Sequence, residues 1–218
     1  MNKEEIEKVL NFDSYYENEE LDIDLFDDVL LIEDELIPKD RINKLLELLT
    51  PLKIEKGELI YLDWFALDSA IILTSWGYEE GLEYLKKIIF YGLKNIPNYS
   101  PHRIHNYNQS YEHIINALLN YNARMAERGN KIEALKKTSP LLIKLIDRAK
   151  EEDISLSMFK YELYDEDYYL IFKIPLENVL EYLKNKKDKT FLDEYNIKDI
   201  EIALTRPNIL DTLSKNNE

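Results

Sequence analysis

The chain contains no cysteine among its 218 residues. This absence excludes disulfides, thiolate zinc sites and cysteine nucleophiles, and it is compatible with a reducing compartment. Long apolar runs are missing too, since those around Asp63 and Asp68 are short and interrupted by charge, and we expect no membrane span. The N-terminal residues lack the apolar core of a signal peptide. We therefore expect a cytoplasmic protein.

Glycine is scarce, with five residues, and three of them follow apolar stretches of helical period. Gly77, Gly92 and Gly129 stand where a glycine can adopt the left-handed conformation that ends a helix. The apolar spacing predicts three helical hairpins and three shorter helices: 58–76 with 79–93, 109–128 with 131–150, 155–173 with 175–186, and singly 41–49, 198–204 and 208–213.

Two prolines and one apolar run affect where these predicted helices begin and end. Pro140 is expected to divide its helix into two pieces, and Pro175 suits the first turn of a new helix. The run 169–174 is also compatible with a strand, because periodicity does not decide the structure of so short a run.

The three predicted hairpins start at intervals of roughly 45 to 50 residues, close to the period of HEAT and armadillo repeats. We predict an all-α fold, an irregular array or bundle of antiparallel helical hairpins, with a HEAT/armadillo-like array as one form of it. Residues 1–218 are expected to form a single helical domain. In it, residues 41–218 make the array and residues 1–40 are an acidic segment docked on it.

Basic residues are in deficit, 28 against 43 acids, and the formal net charge is -15. Such a charge argues against nucleic acid or an anionic membrane as a partner and favours a basic one. The excess is concentrated: residues 1–40 hold fifteen acids and three lysines, whereas residues 41–218 carry a net charge of only -3. Solubility would explain a uniformly acidic chain, but this concentration indicates a surface with a function.

Residues 12–35, FDSYYENEELDIDLFDDVLLIEDE, mix acids with aromatic and aliphatic residues. Aromatic rings beside carboxylates suit an interface that attracts arginine and lysine, because charge steers the partner and the ring faces bind cations. The alternative is an amphipathic helix whose Leu25, Val29 and Ile32 dock on the array while its acids are simply solvated. We predict a partner-binding surface of eleven residues: Tyr15, Tyr16, Glu19, Glu20, Asp22, Asp24, Asp27, Asp28, Glu33, Asp34 and Glu35.

Metal ligation is not indicated by the clustered polar residues. His102, His105 and His113 fall within twelve residues but lack the spacing of a helical ligand pair. The Asp22 and Asp24 pair and the acidic triplet 165–167 lack the glycine and the distant glutamate of a calcium loop. We predict no metal site and no cofactor.

Catalytic signatures are missing as well, since the chain has no Gly-rich phosphate loop and no GxSxG nucleophile elbow. We predict that the protein is not an enzyme and has no catalytic residue. An enzyme with a site around His102, His105 and Glu112 is kept as a further alternative.

The acidic segment FDSYYENEELDIDLFDDVLLIEDE and the hairpin ELIYLDWFALDSAIILTSWGYEEGLEYLKKIIFYGLK resemble a known class. The chain is similar to the acidic, cysteine-free, mainly helical immunity proteins of bacterial contact-dependent and polymorphic toxin systems, some of which are built from HEAT-like helical pairs. The resemblance implies a stoichiometric inhibitor that binds a basic toxin domain, commonly a nuclease, and blocks its active site or substrate surface.

A second function, from a different class, is a helical scaffold or regulatory adaptor that holds a peptide in the concave face of the array. Salt dependence separates the two functions. An apolar peptide groove should be nearly indifferent to salt, whereas an acidic surface that attracts a basic partner should not.

Overall fold

The computed structural model describes residues 1–10, 30–94, 96, 103–104 and 107–215, with side chains up to residue 205 except in the two short strands of 103–108. Helices dominate these residues, which confirms the predicted all-α class. Nine helices have both ends in the described ranges: α1 Lys3–Leu10, α2 Lys39–Leu48, α3 Trp64–Ser75, α4 Glu79–Tyr91, α5 Gln109–Glu127, α6 Lys131–Arg148, α7 Phe159–Glu162, α8 Glu166–Asn185 and α9 Phe191–Lys215.

Short strands and one tight turn also lie in the described residues. The strands form two antiparallel pairs, β1 Lys53–Glu55 with β2 Glu58–Tyr61, and β3 Arg103–Ile104 with β4 Tyr107–Asn108. A single 3₁₀ turn, Asp34–Leu36, precedes α2.

Backbone contacts divide the chain into two compact units. Unit 1 comprises Met1–Ser100 and His113–Thr138, and unit 2 comprises Pro101–Glu112 and Ser139–Glu218. Two of the three divisions fall inside α5 and α6, so at these points the chain passes from one unit to the other within a helix; the third, between residues 100 and 101, lies outside the described residues. From the sequence we expected one helical domain over residues 1–218 and no linker.

The core of unit 1 is built around the hairpin of α3 and α4, which pack against each other. Nine residues of α3 are buried, so this helix is surrounded by other parts of the unit. Gly81 of α4 permits a close approach, because a Cβ there would lie 2.7 Å from the carbonyl oxygen of Ala70 and 2.7 Å from the backbone nitrogen of Thr74. The two backbones are therefore closer than any larger residue would allow.

The first helix of this hairpin begins at Trp64, later than the sequence predicted. Lys56 and Gly57 both have positive φ, 51° and 84°, and they turn β1 back onto β2. Two-residue turns of this kind match the twist of antiparallel strands. Asp63 then caps α3 by accepting a hydrogen bond from the backbone nitrogen of Phe65 at 3.1 Å. The prediction of helix before residue 64 was wrong, because this turn and cap override the apolar period.

The helix stops expected at three glycines are confirmed. Gly77, Gly92 and Gly129 have φ of 84°, 80° and 77°, and each lies within two residues of the end of a helix. Beyond Gly129, α6 returns along α5, where the Thr138 hydroxyl donates to the Asn122 side-chain oxygen at 2.7 Å.

Two prolines expected to interrupt helices do not do so. α6 continues through Pro140 and α8 continues through Pro175. An internal proline removes one backbone hydrogen bond and frees the carbonyl four residues earlier. Pro140 and Lys136, whose carbonyl is freed, are both exposed, so water can bind that carbonyl. The predicted breaks were wrong, because burial of the apolar face stabilises each helix as a whole.

Unit 2 departs from the predicted helices in its first half. One helix was expected over 155–173, but an extended stretch comes first and α7 and α8 follow. Asn196 of α9 holds that stretch: its side-chain oxygen accepts from the Leu156 nitrogen at 2.9 Å, and its amide donates to the Ile154 carbonyl at 2.9 Å. Backbone groups paired with Asn196 in this way do not need a helix.

The remaining helices of unit 2 are longer than predicted. α8 includes the run 169–174, for which a strand was the alternative. Asp165 caps α8 by accepting from the backbone nitrogens of Asp167 and Tyr168 at 3.0 and 3.4 Å. α9 is one helix where two short ones were predicted, and it packs against both α7 and α8.

Candidate functional site: the anchored end of the acidic segment

Three of the eleven predicted partner-binding residues are described, namely Glu33, Asp34 and Glu35. The other eight lie outside the described residues: Tyr15, Tyr16, Glu19, Glu20, Asp22, Asp24, Asp27 and Asp28. The structure thus describes the C-terminal end of the acidic segment, where the chain reaches the helices of unit 1.

Side chains at this end alternate between the core of unit 1 and solvent. Leu30 and Ile32 are buried. Leu31, between them, is exposed, and Glu33 and Glu35 are exposed as well. The buried residues anchor the chain, and the exposed residues present carboxylates and an aliphatic side chain together.

Asp34 is held by two arginines, Arg124 of α5 and Arg128 directly after the end of that helix, and we call these three residues the arginine clasp. Arg128 donates to Asp34 Oδ2 from Nε at 2.9 Å and from Nη2 at 2.7 Å. Arg124 donates from Nη1 to the other carboxylate oxygen, Oδ1, and from Nη2 to the carbonyl of Ile32. Each carboxylate oxygen therefore binds a different guanidinium group, which fixes Asp34 by charge and by direction.

The same two arginines bind the C-terminal end of α3. Arg124 Nε donates to the carbonyl of Ser75 at 3.1 Å, and Arg128 Nη2 donates to the carbonyl of Trp76 at 3.2 Å. Carbonyls at the end of a helix lack partners within the helix and carry partial negative charge, so cations there are favourable. The clasp consequently joins α3, α5 and the acidic segment.

Gly77 leaves room for this arrangement. A Cβ on Gly77 would lie 2.6 Å from Nη1 of Arg128, and the residue also has a φ of 84°. Glycine is favoured at this position for two reasons: the backbone is left-handed, and the guanidinium of Arg128 occupies the space that a side chain would fill.

The clasp sets the ionisation of Asp34. Partial burial would by itself raise the pKa of Asp34, but the hydrogen bonds and charges of Arg128 and Arg124 lower it below its usual value of 3.8. Because the arginines outweigh burial, Asp34 is ionised at neutral pH and its charge is met within unit 1.

A third arginine lies near the same end of α3. Arg41 of α2 is fully buried, its Nε donates to the Val9 carbonyl at 2.9 Å, and its guanidinium lies 5.3 Å from the ring centre of Trp76. Ring faces and carbonyls both favour positive charge. Three arginines thus meet the C-terminal end of α3 and the residue that follows it.

A cleft of about 480 Å³ lies between residues 30–35 and α5. Its charged lining consists of Glu33, Glu35, Glu127 and the three residues of the arginine clasp. Since Asp34 already meets the guanidinium groups, the acids that line the cleft outnumber the bases. The cleft suits a cation offered by a partner better than it suits an anion.

A half-buried carboxyl, that of Asp68, lies elsewhere in unit 1, in α3. Burial and, after it, the charge of Asp63 together raise the pKa of Asp68 to about 6. Asp63 itself caps α3 and accepts a hydrogen bond from the Thr50 hydroxyl at 3.3 Å. Ionisation of Asp68 therefore lowers the stability of the fold, because its carboxylate is largely removed from water and lies near that of Asp63.

The other polar clusters considered in the sequence bring no ligand set together where the structure describes them. No group of three or more metal-ligating side chains occurs among the residues that the structure describes. His102 and His105 lie outside those residues, as does the Asp22 and Asp24 pair, and His113 lies in α5. In the triplet 165–167, Asp165 acts as the cap of α8.

The arginines of the clasp were not recognised from the sequence. Arg124 and Arg128 stand four residues apart at the end of α5, so they share one face of that helix. This spacing could have indicated a carboxylate-binding pair, because two cations on one face can hold a single carboxylate. The spacing does not indicate that the carboxylate is that of Asp34.

The chain matches no protein-family model, no curated protein and no solved structure. Among the described residues, no helix has both the length and the apolar composition that crossing a bilayer requires.

Proposed function

We propose that this protein is an immunity protein that binds a basic toxin domain and neutralises it by stoichiometric contact. The contact surface is the acidic segment, residues 12–35, and the helices of unit 1 are its support. The partner is expected to be a nuclease, because nuclease domains carry lysines and arginines where they hold the phosphate backbone.

The observation that carries this proposal is the alternation of buried and exposed side chains over residues 30–33, followed by Asp34 in the arginine clasp. Leu30, Ile32 and Asp34 hold the chain to unit 1, while Leu31 and Glu33 reach solvent beside an acid-lined cleft. Protein interfaces combine a desolvated apolar centre with a charged rim, and an exposed leucine among carboxylates offers both. This supports a binding surface over an acidic face that is merely solvated.

The concentration of charge gives the mechanism of inhibition. Residues 1–40 carry fifteen acids and three lysines, so a basic domain is attracted over several ångströms before contact. Steered protein pairs associate at about 10⁸ M⁻¹s⁻¹ or faster at low salt. Carboxylates on this segment would bind the same lysines and arginines as a phosphate backbone does, and would therefore exclude the nucleic acid substrate.

The test begins with partner capture on the immobilised full chain, and its criterion is neutralisation. The captured protein, expressed alone, is expected to arrest growth, and co-expression of this chain is expected to restore it. A partner that is acidic, or that has no effect on growth, would contradict the proposal.

Association kinetics then test the surface itself. We expect a variant with Asp22→Asn, Asp24→Asn, Asp27→Asn and Asp28→Asn to associate at least about tenfold more slowly at low salt, with a smaller difference at high salt. The matched control removes four exposed charges elsewhere: Glu47→Gln, Glu55→Gln, Glu151→Gln and Asp188→Asn. Equal slowing in both variants would show that net charge alone is responsible, and the segment would not be the contact surface.

A further inference from the structure

Helix α8 of unit 2 has one face in the core. The residues of this face recur every three or four positions and are all buried: Tyr168, Phe172, Leu176, Val179 and Leu183. The ring of Phe172 packs edge-on against Phe159, with 5.4 Å between the ring centres. This stripe supplies the contact of α8 with the rest of its unit.

The opposite face carries two aliphatic residues that take no part in this core. Leu170 and Ile174 have exposed fractions of 68% and 64%. They are four residues apart, so their side chains are neighbours on the helix surface. An adjacent pair of exposed aliphatic residues on a helix whose opposite stripe is fully buried is an available contact area.

Acids lie before and after this pair on the same side of the helix. Glu166 and Asp167 lie one turn before Leu170, and Glu177 and Glu181 follow Ile174 at helical spacing. All four acids are exposed. This side of the helix therefore has an apolar centre between two acidic ends. We call its six residues the α8 face: Glu166, Asp167, Leu170, Ile174, Glu177 and Glu181.

The two lysines of α8 that lie near this face have other partners. Lys184 pairs with Glu201 at 2.7 Å, and the Nζ of Lys173 lies 5.4 Å from the ring centre of Tyr169. Glu177 forms no ion pair with any cation in the described part of the chain, and the same is true of Glu166 and Glu181. Three carboxylates of the face, those of Glu166, Glu177 and Glu181, therefore keep a negative charge that helix packing does not use.

We propose that the α8 face is a docking surface for a basic protein segment with an apolar centre, of the kind that an amphipathic helix with flanking lysines or arginines presents. Charge complementarity selects this occupant. A second copy of the chain would oppose four acids to four acids, and an anionic bilayer would be repelled in the same way. The inference is independent of the acidic segment and of the toxin that the segment is proposed to bind.

The probe is a synthetic helical peptide with leucines on one face and lysines beside them, titrated into the full isotope-labelled chain. We expect the largest amide shifts in α8. A variant with Leu170→Ser and Ile174→Ser is expected to bind about tenfold more weakly or worse, because both side chains are buried in the complex. The control, Ile54→Ser with Ile132→Ser, also removes two exposed aliphatic side chains and should bind as the natural chain does.

A charge variant completes the test. Glu177→Gln with Glu181→Gln is expected to weaken binding at low salt and to reduce its salt dependence, whereas Glu47→Gln with Glu151→Gln should do neither. The inference is overturned if a peptide with glutamates in place of lysines binds as well, or if the Ile54 and Ile132 variant loses as much affinity. It is also overturned if Leu170→Ser with Ile174→Ser abolishes self-association in sedimentation, or binding to anionic vesicles, since the occupant would then be a second copy or a membrane.

Discussion

Replacing Asp34 with asparagine removes the carboxylate of the arginine clasp and preserves the size of the side chain. Breaking a fully buried ion pair costs about 3–5 kcal/mol, and an exposed pair is worth about 0–1 kcal/mol. The clasp lies between these limits, because the exposed fractions are 10% for the Arg124 side chain, 35% for Arg128 and 43% for Asp34. We expect Asp34→Asn to lower the free energy of unfolding by about 2 kcal/mol.

This magnitude is reduced by the bonds that remain. Arg124 keeps the carbonyls of Ile32 and Ser75 as acceptors, so its guanidinium is not left without partners. Loss of about 2 kcal/mol should lower the midpoint of thermal unfolding by roughly 4–8 °C in a chain of this size. Chemical denaturation measures the free energy of unfolding, and a thermal melt measures the midpoint, with circular dichroism as the signal in both.

The neighbouring Glu35→Gln is the matched control, since it removes the same charge from an exposed position one residue away. Its effect is expected to stay within about 0.5 kcal/mol, as for other exposed substitutions. If Asp34→Asn and Glu35→Gln have equal effects, the clasp does not stabilise the fold and the anchoring of the acidic segment by Asp34 is refuted.

The pH dependence gives an independent check on the same residue. The pKa of Asp34 is lowered in the folded state by Arg128 and Arg124, although burial opposes them. A lowered carboxyl pKa contributes stability that is present above the unfolded value, about 3.9, and is lost as the pH falls through the folded value. The stability difference between the natural chain and Asp34→Asn should therefore be complete at pH 7 and shrink below about pH 4.

Three further substitutions test other contacts. Gly77→Ala should lower the free energy of unfolding by at least about 1 kcal/mol more than Gly57→Ala does, as measured by chemical denaturation. Both positions have a φ of 84°, but of the two only Gly77 has a neighbouring side chain within 4 Å of an added Cβ. Asp68→Asn should stabilise the fold by about 1–3 kcal/mol above pH 7, because the pKa of Asp68 is raised to about 6 and the folded state loses stability as the pH rises through that value. The gain should vanish below about pH 4 in a pH series of unfolding curves, and a gain independent of pH would contradict it. Asn196→Ala should cost about 2–4 kcal/mol by leaving a backbone nitrogen and a carbonyl unpaired, whereas the exposed Asn178→Ala should change the unfolding free energy by less than about 0.5 kcal/mol.

Local chemistry was sufficient to predict the helices that follow their own apolar period. α4 and α5 have nearly the predicted bounds, and the stops at Gly77, Gly92 and Gly129 are confirmed. These features depend on residues within one or two turns of each other, namely the side-chain spacing and the freedom of glycine at positive φ. The concentration of acids in residues 1–40 is likewise a property of composition and needs no fold to be visible.

Contacts between residues far apart in the chain determined the other features of the fold and of the site. Helices continue through Pro140 and Pro175 because tertiary burial outweighs one lost hydrogen bond, a balance that local propensity does not contain. Asp34 belonged, by its sequence, with the partner-binding acids, yet its charge is met by Arg124, which is 90 residues away along the chain. Nothing in the spacing of either residue specifies the other, because their approach follows from the packing of α3 against α5 and from the chain that leads into α2. Whether an acid faces solvent or an internal cation is therefore a property of the folded chain, since it depends on which surfaces are buried against each other and not on the order of neighbouring residues.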